Sequence, residues 1–126
     1  MSDLIDVAVR VLPPPDGDEE ELRTLTVRLR RELLRTDVVG AQPVRDEEAP
    51  EGAKGLAAVA GLLAVQVRTF HALRQLVESV RSWAGRSGRT VKVCLDGDCL
   101  EVTGATPQVQ EQLVGAWLAR HAPTDS

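Results

Sequence analysis

Apolar and polar positions alternate from residue 4 to residue 12. Ile5, Val7, Val9 and Val11 point one way, and Asp6, Ala8 and Arg10 the other, which predicts a half-buried strand. Pro13, Pro14 and Pro15 stop it, because proline cannot donate to a ladder. The period then changes. Leu22, Leu25, Leu29 and Leu33 recur at helical spacing, with Arg28, Arg31 and Arg35 on the opposite side. Asp16 and Glu19 have capping-box spacing, and a crowd of acids in the first turn suits the helix dipole. This helix is expected to end near Thr36. Val38 and Val39 suggest a short strand that Gly40 and Pro43 restrict to a sheet edge. The polar stretch RDEEAPEGAKG, residues 45–55, predicts a flexible loop.

Leu56 to about Gly85 is expected to be one long helix of about 30 residues, or ~45 Å. Its first part, Leu56 to Val65, is apolar on every side, and Gly61 is a point where it can bend. From Val67 onward it is amphipathic, with Phe70, Leu73, Leu76, Val77, Val80 and Trp83 inward. Gly85 and Gly88 stop it. Thr106-Pro107 opens a last helix to about His121, with Val109, Leu113, Ala116, Trp117 and Arg120 at helical spacing. Residues 122–126 form a frayed tail.

Between these helices lies VKVCLDGDCLEV, residues 91–102. Asp96-Gly97 favours a two-residue type I′ turn, which sets the register. Leu95 faces Asp98, Cys94 faces Cys99, Val93 faces Leu100, Lys92 faces Glu101 and Val91 faces Val102. Apolar pairs fall on one face, and the charged pair falls with the cysteines on the other. The expected fold is a single α+β domain over residues 1–126, a two-layer sandwich in the order β-α-β-α-β-β-α. A three- or four-stranded sheet carries helices mainly on one face. If the first two strands share the sheet, their crossover is right-handed.

Composition adds constraints. Of 126 residues, 43% are hydrophobic and only 2% aromatic, so Leu, Val and Ala must build the core. A net charge of −4 argues against general nucleic-acid binding. Arg outnumbers Lys 13 to 2, a mark of GC-rich coding. The N-terminus lacks the basic region of a secretion signal. The apolar run Leu56–Val65 would reach only ~15 Å as a helix, half of a bilayer core. A soluble cytoplasmic protein with no membrane span is expected, its thiols mostly reduced.

Cys94 and Cys99 are the only cysteines. The register places their Cα atoms about 4.5 Å apart. Packing thiols are the preferred reading. A redox-sensitive pair comes second, and a metal ligand pair or nucleophile last, because neither His71 nor His121 has ligand spacing and no base is near in sequence. The Arg28, Arg31, Arg35 face reads as solvated rather than as an anion site, and Asp46, Glu47 and Glu48 as a loop rather than a metal site. EGAKG lacks the Ser/Thr of a phosphate loop. No spacing suggests acid–base catalysis, so no catalytic residue, metal site or cofactor is expected. The run that is apolar all round is the anomaly. It is either covered by the chain's own loops and helices or meets a second polypeptide through Leu56, Val59, Leu62, Leu63 and Val65. Ala57, Ala58, Ala60, Gly61 and Ala64 would allow close approach, and a homo-oligomer is one form this takes.

Three segments carry a resemblance: EAPEGAKGLAAVAGLLAV, LRQLVESVRSWAGRSGRTVKV and LDGDCLEVTGATPQVQEQLVGAWLARH. Together the sequence resembles the effector-associated constant component family of actinobacterial conflict systems over nearly its whole length. The resemblance implies an adaptor or regulatory component of bacterial defence signalling, without catalysis of its own. Its partners would be effector or effector-associated domain proteins, such as caspase-like or trypsin-like peptidases. The residues alone leave a small-molecule-sensing regulatory domain as the alternative.

Overall fold

The computed structural model describes residues 4–13, 19–44, 61–103 and 107–122. Five strands and three helices follow in the order β1 (Ile5–Val11), α1 (Glu19–Leu33), β2 (Val38–Pro43), β3 (Leu62–Val67), α2 (Phe70–Ser87), β4 (Val91–Leu95), β5 (Asp98–Val102) and α3 (Pro107–His121). The strands form one sheet in the order β2-β3-β1-β4-β5. Each neighbouring pair is antiparallel, so β1 and β2 run parallel with β3 between them.

The expected α+β class holds, but the sheet has five strands rather than three or four. The additional strand is β3, and it replaces the first part of the expected long helix. Gly61 is the reason. Its φ of 80° lies in the left-handed region, and a Cβ there would sit 2.6 Å from the Val11 carbonyl oxygen. The Gly61 carbonyl in turn accepts from the Val11 amide at 2.9 Å. The chain therefore turns at Gly61 instead of bending a helix. Leu63, Val65 and Val67 then face the core, while Leu62, Ala64 and Gln66 face away from it. The pattern has period 2, but apolar Leu62 and Ala64 on the outer face conceal it. The helix proper begins only at Phe70. Thr69 caps it, its hydroxyl accepting from the Ala72 amide at 3.0 Å, and Gly88 closes it in the left-handed conformation at φ 63°.

The core lies on one side of the sheet. Val7, Val9 and Val11 join Leu63, Val65, Val67, Val91 and Val93 beneath the helices. The α1 leucines at 22, 25, 29 and 33 are buried, as their spacing predicts. From α2, Leu73, Leu76, Val77, Val80 and Trp83 complete the layer. The β2 strand is an edge, as Gly40 and Pro43 suggest, with a register shift between Val38 and Gly40. The Arg30 Nε ties it to α1 by donating to the Ala41 carbonyl at 2.6 Å.

Helix α3 has the expected limits but a different buried face. Gln110, Val114, Trp117 and Leu118 are inside, while Val109 and Leu113 are about half exposed. Polar anchors set this rotation. The Trp117 indole donates to the Asp98 carbonyl at 3.0 Å, and Gln110 accepts from the Thr103 amide at 3.3 Å. The flexible loop at 45–55, the capping residues Asp16 and Thr106, and all of the tail except Ala122 lie outside the described residues.

Candidate functional site

All three helices pack on one face of the sheet, and antiparallel pairing lays out the other in rows. Ala8 is opposite Ala64 on one side and Cys94 on the other. Gln42 extends this row beyond Ala64, and Cys99 extends it beyond Cys94. The row Gln42–Ala64–Ala8–Cys94–Cys99 thus crosses all five strands, ~19 Å at the usual strand separation. A second row, Leu62–Arg10–Lys92–Glu101, runs along one side, and Gln66 and Asp6 lie along the other. Rows two residues apart are separated by ~7 Å. The middle row is floored by alanine and flanked by longer side chains. The surface therefore sinks into a shallow trough of about 390 Å³, lined among others by Ala8, Leu62, Ala64, Gln66 and Cys94. Ala8 at its floor is exposed, and Ala64 and Leu62 are half-buried. Its lining is mainly apolar, with Asp6 and Asp96 at the margins.

A disulfide closes one end of the trough. The hairpin register is the one the Asp96-Gly97 turn dictates, with Cys94 opposite Cys99. Both turn residues have positive φ, 52° at Asp96 and 82° at Gly97. The cysteine Cα atoms are 4.0 Å apart and the sulfurs are bonded. The preferred reading as reduced packing thiols is thus corrected. A non-hydrogen-bonded cross-strand pair brings two Cβ atoms side by side on one face, within bonding reach. Neither sulfur belongs to the core, since Cys99 is exposed and Cys94 half-buried.

Beyond the turn, Asp98 joins the hairpin to the end of α3. Arg120 grips its carboxylate with two donors, Nε to Oδ2 at 2.8 Å and Nη2 to Oδ1 at 3.2 Å. His121 Nε2 reaches Oδ2 at 2.9 Å. The Arg120 hydrogen bonds hold the Asp98 carboxyl below the usual carboxylate range. Partial desolvation opposes this, and His121 adds to the lowering. The His121 ring also stacks obliquely on Trp117, with centroids 4.7 Å apart. Sequence spacing put Trp117 and Arg120 on one face but gave no sign that Asp98 was their target. The signal was the residue after the turn, the first of β5.

The proposed contact residues part company here. Leu63 and Val65 are fully buried under the helices, so they present nothing to a second chain. They are core because the segment is a strand and they occupy its covered face. Leu62 lies on the open face beside the trough. Leu56 and Val59 lie outside the described residues. Near the end of α1, Glu32 pairs with Arg86 of α2 at 2.6 Å and with Arg35, just past α1, at 3.7 Å. His71 meets Gln75 at 3.1 Å on the exposed side of α2. Among the described residues no group of three His, Cys, Asp or Glu side chains is placed to hold a metal ion, and no helix is long and apolar enough to cross a membrane. Comparison with family models, curated proteins and solved structures finds no match to this chain.

Proposed function

We propose that this protein is a non-enzymatic adaptor or regulatory component of a bacterial defence system that works by protein–protein contact on the open face of its sheet. The observation that carries this reading is the apolar trough over Ala8 and Ala64. A sheet face turned to water normally alternates apolar-in with polar-out. Here the outward residues at the centre are Ala8, Ala64 and, in the next row, Leu62, where Lys, Thr or Glu would be solvated at no cost. Small residues on a pleated surface admit the close approach of another backbone or side chain, and the flanking Arg10, Lys92, Glu101 and Asp6 provide a polar rim of both signs, the usual anatomy of an interface. The resemblance to effector-associated components supplies the class of partner: effector proteins such as caspase-like or trypsin-like peptidases, or a second copy of this chain.

The trough also supports a second reading, sensing of a small molecule, since its volume falls in the ~300–1,000 Å³ range of ligand sites. Its form favours the first. Such sites enclose most of their ligand, whereas this depression has a floor and low sides. Light-scattering mass distinguishes them. The 13.6 kDa chain alone, or mixed with products of neighbouring genes, is expected to give a complex that Ala64→Arg abolishes without changing thermal stability. Failure to form any complex with itself or with those proteins contradicts the adaptor reading.

A further inference from the structure

We infer that the Cys94–Cys99 disulfide is a reversible thiol–disulfide exchange site for low-molecular-weight thiols. Three features of its placement lead there. The bond lies on the face without helices, with Cys99 exposed and Cys94 half-buried, so a small thiolate can approach the outer sulfur from solvent. It spans only five positions of sequence. The restraint a disulfide places on the unfolded chain grows with the loop it closes, and this loop is among the shortest. The hairpin does not depend on it. The Asp96-Gly97 turn, the ladder on either side and the β1 pairing of β4 already hold the two strands in register, and Trp117 and Arg120 hold β5 at Asp98 from the other face. A cross-link with little structural duty, open to solvent, is placed for exchange.

The chemistry balances with the thiol as reductant. A thiolate RS⁻ attacks Sγ of Cys99, forming a mixed disulfide while the Cys94–Cys99 bond breaks and Cys94 leaves as a thiolate. A second RS⁻ attacks the sulfur of the bound R group, releasing RSSR and the Cys99 thiolate. Both protein thiolates take protons from water to the extent their acidity dictates, so two electrons pass from two RS⁻ to one disulfide. The reverse direction is equally served. The ladder keeps the two thiols opposite one another, so either mixed disulfide is resolved within the chain before a second protein can intervene. The pair then forms and breaks without cross-linking copies of the protein.

Alkylation followed by mass measurement of the whole chain, after equilibration with reduced and oxidised glutathione at millimolar concentration, tests this. The chain isolated without reductant shows no free thiol. Reduced glutathione exposes two, and oxidised glutathione removes them again. Far-UV circular dichroism and a cooperative thermal transition are kept throughout. Cys94→Ser, which retains Cys99, collects the glutathione adduct several-fold faster than Cys99→Ser, which retains the more covered Cys94. The inference is overturned if the pair stays oxidised until denaturant unfolds the chain, if reduction itself unfolds it, or if two thiols persist after exposure to oxidised glutathione. The double variant Cys94→Ser/Cys99→Ser separates a structural duty from an exchange duty, because its failure to fold would show that the bond is a staple.

Discussion

At Asp98 one residue joins three others from a different element. Its carbonyl accepts from Trp117 and its carboxylate from Arg120 and His121. The carboxyl is held below its ordinary range by those contacts, so its folded pKa lies below its unfolded one. The stabilisation is present in full above about pH 4, the unfolded value, and fades as pH falls through the depressed folded value. Asp98→Asn should therefore lower the thermal midpoint at neutral pH, and the wild-type and variant midpoints should converge in acid. Parallel curves down to pH 2 would show that the carboxylate contributes nothing. At Gly61 the constraint is steric rather than electrostatic. An alanine must take a left-handed φ and place its methyl group against the Val11 carbonyl. Gly61→Ala is expected to cost about 2 kcal/mol or more in chemical denaturation. A loss below half of that would mean the backbone relaxes freely at this turn.

At the scale of the element, β3 decides the fold. Leu63 is fully buried and Leu62 is half-buried on the opposite face. Leu63→Asp buries an unpaired charge under the helices and should unfold the chain. Leu62→Asp should leave circular dichroism and the thermal transition close to wild type. The reverse order, or equal damage, would return this segment to a helix or shift its register by one. The same strand explains what was legible in the sequence. The hairpin of β4 and β5 could be read pair by pair because its two faces differ in polarity and Asp-Gly fixes the register. The buried leucines of α1 and the inward face of α2 were legible for the same reason. In β3 the outer residues Leu62 and Ala64 are as apolar as the inner ones, so neither period stands out, and a continuous apolar run reads as a helix. Helix α3 shows the converse. Val109 and Leu113 have helical spacing, but the bond Trp117 donates to Asp98 and the one Gln110 accepts from Thr103 turn them outward. Such anchors depend on partners outside the helix and leave no periodic trace.

For the whole molecule, the residues that hid β3 are those that line the trough. An outward Ala and Leu make a poor sequence signal for a strand and a good surface for contact. The motifs behind the family resemblance have structural duties here. Trp83 fills the core, Gly88 ends α2, Asp96-Gly97 makes the turn and Asp98 holds α3. They explain how the sheet is built and joined to its helical layer, while its open face carries the proposed contact and, at one end, the sulfur pair.

The claim that this face receives a protein partner is tested most directly by placing a thiol on its floor. Ala8→Cys in a Cys94→Ser/Cys99→Ser background puts one reporter at the exposed centre of the trough. In the isolated monomer it should react with a maleimide nearly as fast as in the unfolded chain. On addition of the partner, or as self-association sets in, the rate should fall several-fold in proportion to the complex formed. A thiol that is already shielded in the monomer, or that reacts at the same rate when the complex is complete, would contradict it.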